Sequence, residues 1–232
     1  MSQEFYISDS LNPKKRFFGR RKAKALSPLQ QNLYDKAQDD FFFTIDDAKD
    51  IQALFADKTQ KNILEIGFGG GEHLLHQAQK NPHINYLGID AYVNSVSKAV
   101  RETYYNDLKN VRISDQDAFA FISALPANSL DGLYLLYPDP WPKRRHRNRR
   151  FVQRDTALLI ETILKPNGFF RFASDIPEYA EWVIANLTNA TSAFLNVAHK
   201  PNIPLENWTA TRYEKKALRE GRTPAYYEFF FK

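Results

Sequence analysis

Between Tyr137 and Arg150 the chain reads Tyr-Pro-Asp-Pro-Trp-Pro-Lys-Arg-Arg-His-Arg-Asn-Arg-Arg. Asp139 lies between two prolines. Each fixes its own φ and pushes the preceding residue out of the helical region, so the carboxylate sits in an extended loop with little freedom. A carboxylate held in this way can orient a reacting group or stabilise a developing cation. Six of the eight residues from Lys143 to Arg150 are Lys or Arg, a density suited to a polyanion rather than to a small acidic ligand. Taken alone, the basic run is also compatible with a solvated loop joining a strand to a helix.

A second constellation lies upstream. Glu65-Ile-Gly67-Phe-Gly69-Gly-Gly71 follows an apolar run, and glycines at this spacing allow a tight turn and close approach of a ligand to the backbone. Asp90 ends the next apolar run, 19 residues after Gly71, where it can accept from both ribose hydroxyls of an adenosine. Asp117, with Ala118, can meet an adenine edge or cap a helix, and the two roles are compatible. A nicotinamide dinucleotide would use a similar frame. However, Glu72 in the first helical turn suits the helix dipole and repels a pyrophosphate. The acid Glu65 inside the glycine motif points to a cationic tail, and S-adenosylmethionine, with its ammonium and sulfonium charges, fits better. Tyr105-x-x-x-Lys109 has the dehydrogenase spacing but precedes the third strand, away from such a crevice. His73 and His76 are three apart, a spacing open to a metal pair; without further ligands nearby, a surface helix face explains them better and no metal site is expected.

These residues need elements to place them. From Asn62 onward, apolar strand-like runs alternate with helical patterns, which implies one mainly parallel α/β sheet covered by helices on both faces. Strands are expected over Ile63 to Ile66, Asn85 to Asp90, Val111 to Ser114, Leu130 to Tyr137, Phe169 to Ala173, Ala193 to Ala198 and Tyr226 to Phe231. The last two are placed for antiparallel pairing across a long insert, Lys200 to Thr223. Leu130 to Tyr137 is the most continuously apolar run and suits a central strand, so Asp139 emerges at a carboxyl end, the edge where open α/β sheets bind ligands. Helices are expected over Glu72 to Lys80, Val93 to Tyr105, Ala118 to Leu125, Arg149 to Leu164 and Pro177 to Asn189. Thr211-x-x-Glu214 has the form of a capping box opening a basic helix.

The 232 residues, 43% of them apolar, suffice for one well-buried domain. Net charge is +5, yet thirteen positive charges fall in two acid-free segments, Lys14 to Lys24 and Lys143 to Arg150, leaving −8 on everything else. Positive charge concentrated on an otherwise acidic body is a nucleic-acid footprint. There are no cysteines, which excludes disulfides, thiolate zinc sites and a cysteine nucleophile. Neither a signal-peptide core at the N-terminus nor an apolar run able to span a bilayer is present, so a cytoplasmic protein without a membrane partner is expected. Residues 1–33 lack clear periodicity and read as a mobile basic arm, and 34–232 as a single domain.

Taken together, Glu65-Ile-Gly-Phe-Gly-Gly-Gly71, Gly88-Ile-Asp90, Pro138-Asp-Pro-Trp-Pro through Arg150, Ala173-Ser-Asp175 and Thr211-Arg-Tyr-Glu214 resemble, in order and spacing, the bacterial tRNA (guanine-N7-)-methyltransferases of the TrmB type. The likeness covers nearly all the chain from Asn62. It implies a Rossmann-like class I methyltransferase domain with a mostly parallel seven-stranded sheet and one antiparallel strand. It also implies methyl transfer from S-adenosylmethionine, leaving S-adenosylhomocysteine, to N7 of guanine 46 in the variable loop of tRNA. By that likeness Glu65, Gly67, Gly69, Asp90, Asp117, Ala118 and Asp139 contact the cofactor, and Asp139 is also the catalytic residue. Lys143, Asp175, Thr211, Arg212, Tyr213 and Glu214 contact the guanosine, and Arg144, Arg145, Arg147, Arg149 and Arg150 the RNA backbone. Asp90 stands where the family more often has Glu, a shorter carboxylate of the same charge.

Guanine N7 carries an in-plane lone pair and no proton, so it needs no general base, and positioning carries most of the barrier reduction. Trp141 can stack on a base or anchor its own loop. Two other readings stay open at this level: a Rossmann-fold methyltransferase acting on another RNA, a protein or a small molecule, and a non-catalytic RNA-binding protein. Two separate basic segments weigh against a small-molecule substrate, and the full set of site acids against a non-catalytic protein. Asp-Pro-Trp-Pro also differs from the Pro-Pro-Tyr motif of exocyclic-amine methylases where the target amine would be gripped. Monomer and homodimer both remain open.

Overall fold

The computed structural model describes Arg21, residues 25–190, the backbone of 194–201, Pro204 and residues 208–231. All of the basic segment Lys14 to Lys24 except Arg21 lies outside the described residues.

The chain alternates as expected from Lys61: β1 (Lys61–Ile66), α3 (Glu72–Lys80), β2 (Ile84–Ile89), α4 (Val93–Tyr105), β3 (Val111–Ser114), α5 (Ala118–Ala124), β4 (Leu130–Leu136), α6 (Arg154–Ile163), β5 (Leu164–Ser174), α7 (Pro177–Ala190), β6 (Phe194–Pro201), α8 (Arg212–Arg219) and β7 (Ala225–Phe231). One sheet forms in the order β3-β2-β1-β4-β5-β7-β6. The β1, β2, β3, β4 and β5 pairings are parallel, whereas β7 runs antiparallel to both β5 and β6.

Period-2 alternation builds the two faces of the core. Leu64 and Ile66 of β1 join Leu133, Leu135, Phe170 and Phe172 under α5, α6 and α7. Ile63, Tyr86, Tyr134 and Leu136 point the other way, under Leu74 and Ala78 of α3 and Val96 and Val100 of α4. β4 lies between β1 and β5 with its last five residues buried, so the loop beyond Leu136 leaves from the middle of the sheet's carboxyl edge. Among the described residues no helix is long and apolar enough to cross a membrane.

Two differences from the sequence expectation have plain causes. Helix α1 (Pro28–Lys36) crosses Leu33, where the arm was expected to end, and α2 (Gln38–Phe41) follows. Ser27 accepts from the Gln30 N–H while Gln30 returns a bond to the Ser27 N–H, and Pro28 opens the first turn. Tyr34, 8% exposed, then donates to Asp115 at 2.8 Å. The Arg21 guanidinium donates to the carbonyl of the same Asp115 at 3.0 Å. The second difference is that the helix expected from Arg149 begins only at Arg154, because Arg144–Arg149 forms a 3-10 segment.

Candidate active site

The turn after β1 places the first half of the site. Gly67, Gly69 and Gly71 all adopt positive φ, at 70°, 59° and 81°, which residues with a Cβ rarely take. With the backbone so folded, the Gly69 N–H reaches one oxygen of Asp90 at 2.8 Å, while the Tyr92 N–H reaches the other at 2.8 Å. Gly69 therefore holds Asp90 rather than lining the cavity. Asp117 caps α5 through one oxygen, which accepts from the Ala120 N–H at 3.0 Å. Its other oxygen is buried without a partner, so the cap leaves an acceptor to spare.

The second half is the loop after β4. The Tyr137 N–H is tied to the Ala173 carbonyl of β5 at 2.8 Å. Tyr137 and Trp141, at either end of Pro138-Asp139-Pro140, both have left-handed φ, 50° and 41°. For non-glycine residues this costs of order 1–3 kcal/mol each, a strain that persists only where the surroundings enforce it. Asp139 is open on one side and makes no hydrogen bond among the described residues.

Gly67, Asp90, Asp117, Ala118, Asp139 and Arg212 meet around one crevice of about 400 Å³ at the carboxyl edge. Burial pushes the Asp90 carboxyl up, opposed by its bonds from the Tyr92 and Gly69 amides and by Arg212, and reinforced by the nearby charge of Asp139. Desolvation by the crevice walls pushes Asp139 up as well. Both groups accordingly take up a proton at higher pH than an ordinary carboxylate, whose pKa is about 3.9. If the ionised forms do the work, the acid limb of a kcat/KM profile is expected above that value, and Asp139→Asn should remove its share of the limb. An acid limb confined to the ordinary carboxylate range would contradict this. The stability linkage has the opposite sense. A carboxyl with a folded pKa above its unfolded one contributes fully below the unfolded value, and that contribution is lost as pH rises through the folded value.

Several expected site residues take other places. Glu65 is 2% exposed behind the turn, paired at 2.7 Å with Nδ1 of His73. His73 is likewise buried, 4.6 Å from the Tyr134 ring and 4.9 Å from Trp208, which corrects the surface-face reading. Arg212 and Tyr213 line the crevice itself, and a Cβ on Gly69 would lie 3.5 Å from the Arg212 guanidinium. Thr211 caps α8 by accepting from the Glu214 N–H at 3.1 Å. Glu214, 3% exposed, accepts from Trp208 Nε1 at 2.8 Å and the Tyr226 hydroxyl at 2.7 Å, so its carboxylate is committed inside the protein and does not face a guanosine. Asp175, at the end of β5, pairs with Arg222 at 2.6 Å.

The basic run divides. Lys143, Arg144 and Arg145 are exposed. Arg147 pairs with Glu178 at 2.7 Å, and Arg149 lies 4.9 Å over the Trp141 ring. That contact, together with the edge of His146 at 5.8 Å, shows Trp141 packing within its own loop. Arg150 is 1% exposed and cannot meet an RNA phosphate, which corrects the role expected for it. The contribution of Trp208 went unrecognised in the sequence, where a tryptophan in a polar insert, three residues before Thr211, was the available signal.

Three carboxylates and one arginine around an apolar-floored crevice suit a ligand with both a cationic part and hydrogen-bond donors. Residues 59–226 match the model of a family described as "Putative methyltransferase". The tRNA (guanine-N(7)-)-methyltransferase of Azorhizobium caulinodans is 41% identical over 92% of this chain and 94% of its own length. That of Mesorhizobium japonicum is 42% identical over 92% and 93%. The solved 16S rRNA methyltransferase KamB superposes with a TM-score of 0.57 at 13% identity, over 90% of this chain and 95% of that one, a likeness of fold: the class I methyltransferase sheet. With two fifths of the residues shared over nearly the full length of both chains, this protein belongs to the tRNA (guanine-N(7)-)-methyltransferase family.

Proposed function

We propose that the protein transfers a methyl group from S-adenosylmethionine to N7 of guanine 46 in the variable loop of cytoplasmic tRNA. The observation that carries this reading is the crevice itself. Asp90, Asp117 and Asp139 converge on one cavity, and the loop that delivers Asp139 continues directly into exposed Lys143, Arg144 and Arg145.

The residues present fit the cofactor. The buried, partnerless oxygen of Asp117 suits the adenine amine, a donor that would satisfy it. Asp90, fixed by two amides, suits the ribose hydroxyls. Gly67 leaves room for close backbone approach, and Ala118 packs beside the base. Glu65, paired with His73, backs the glycine turn from behind. S-adenosylmethionine supplies an electrophilic methyl on a cationic sulfur.

The chain's own work is orientation and charge. Asp139 holds the guanine edge by accepting from N1–H and the exocyclic amine, beside the cofactor's methionine end. As N7 is alkylated the ring becomes cationic, and the fixed carboxylate stabilises that charge as it develops. No proton leaves N7, so Asp139 acts as an orienting and stabilising group and not as a base. Arg212 and Tyr213 border the base, with Lys143 toward the guanosine, while Thr211 and Asp175 hold the neighbouring segments through the α8 cap and the Arg222 pair. Arg144, Arg145, Arg147 and Arg149 face the RNA backbone.

The test incubates the protein with labelled S-adenosylmethionine and unmodified tRNA, then maps the product by borohydride and aniline cleavage. Label at guanine 46 N7 is expected. No incorporation, or label away from an N7, would overturn the assignment.

A further inference from the structure

Arg150 ends the basic run in the sequence and faces inward in the structure. Its guanidinium lies 5.1 Å from the ring centroids of both Tyr179 and Trp182 on α7. Nε donates to the Pro140 carbonyl at 2.8 Å, and Nη2 to Glu178 Oε1 at 2.9 Å. The neighbourhood is braced in turn. Trp182 Nε1 donates to the Val152 carbonyl at 2.8 Å, and Gln153 donates to the carbonyls of Arg147 and Arg150 at 2.8 Å and 3.0 Å.

Taking a guanidinium out of water is costly unless good pairing returns what desolvation removes. Here the return is incomplete, because Glu178 is 49% exposed and shared with Arg147, and Nη1 is buried without a partner. An apolar side chain would fill the space between Tyr179 and Trp182 at less cost. What it could not supply is the directed bond to the carbonyl of Pro140, the residue immediately after Asp139. That bond and the one from the Tyr137 N–H to the Ala173 carbonyl pin the Pro-Asp-Pro segment from both sides.

We infer that Arg150 is a positioning residue that fixes Asp139 through the Pro140 carbonyl. For its turnover arm the inference rests on the function proposed above; its cofactor-binding arm does not depend on the RNA substrate.

The test uses the full chain and Arg150→Lys, which keeps the charge but loses the planar fork and the stacking. S-adenosylhomocysteine affinity by calorimetry is expected to fall about fivefold, with little further loss when the change is made in an Asp139→Ala background, because residues acting as a unit are non-additive. The maximal methylation rate at saturating tRNA is expected to fall about tenfold, as for a misplaced reacting group, again without adding to Asp139→Ala. A merely structural role would add in both backgrounds. The slope of log affinity for tRNA against log salt should stay unchanged in Arg150→Lys, whereas Arg145→Ala lowers it by about 1. A slope lowered by about 1 in Arg150→Lys, or losses that add to those of Asp139→Ala, would overturn the inference. Should Arg150→Lys fail to fold, Glu178→Gln at a half-exposed side chain loosens the same guanidinium. A fall of about twofold or more in S-adenosylhomocysteine affinity is then expected, and unchanged affinity and rate overturn the inference. A wild-type protein inactive on tRNA would sink the substrate assignment alone, leaving the calorimetric arm to decide the role of Arg150.

Discussion

Asp139→Ala is expected to lower the maximal rate of methyl transfer by about two to three orders of magnitude, the loss typical of removing one preorganised group aimed at developing charge. tRNA affinity should change by about threefold or less, because the exposed cations Lys143, Arg144 and Arg145, to which charge-dependent binding is assigned in the proposal, are untouched. The contrast follows from geometry. Asp139 has no internal hydrogen-bond partner among the described residues, so truncating it leaves no donor stranded and the fold intact. Single-turnover rates and filter-binding affinities on the same tRNA separate the two effects. Equal losses in both would show that Asp139 serves binding and not the transferring step. Asp139→Asn, which keeps the shape and one acceptor oxygen, should recover part of the rate but not the charge stabilisation.

The second large effect is expected at Asp90. Its two oxygens are each fixed by a backbone amide at 2.8 Å, in the orientation the proposal gives it toward two ribose hydroxyls. Bonds to charged groups contribute about 1.5–3 kcal/mol each, so losing two should weaken S-adenosylhomocysteine binding about 100-fold or more. Asp90→Ala also strands the Gly69 and Tyr92 amides, and its melting temperature should fall. Asp90→Asn can keep one amide bond while losing the charge, and about tenfold weaker binding is expected with a smaller shift in melting. Calorimetry read beside thermal melts distinguishes the losses. Unchanged affinity in Asp90→Asn would remove the ribose assignment.

Much of this site was legible in the residues because its logic is local. The glycine turn, the acid at the end of β2, the acid capping α5 and the proline-flanked acid after β4 each lie at a strand's carboxyl end. A parallel sheet must bring such ends together, so periodicity alone implied their convergence. The places where the reading failed are those set by distant partners. Arg150 is one of six cations in a run of eight, and nothing nearby distinguishes it. Its burial is decided by Tyr179 and Trp182, about thirty residues on, which reach it only because α7 packs against α6. Likewise His73 and His76, three apart with no further ligands nearby in the sequence, read as one surface helix face, whereas His73 is buried. The buried Glu65 carboxylate and the Tyr134 and Trp208 rings that surround it come from three other segments. For α1 the signal was present as Ser27-Pro28-x-Gln30, but it was overshadowed by the polar composition around it.

The left-handed backbone of Tyr137 and Trp141 has a consequence for how this protein can change. Glycine at either position would relax the backbone, so each is a place where local strain could be relieved at once. Yet the Tyr137 ring is buried, 9% exposed, with its hydroxyl held up by burial and by Glu214 and Tyr226, and Trp141 is braced by Arg149. Relief would therefore free the loop that aims Asp139. Selection for greater stability and selection for faster transfer pull in opposite directions at these two residues. A more thermostable descendant of this chain would have to gain its stability elsewhere, in the helices and the sheet's amino edge, and carry the strained loop forward unchanged.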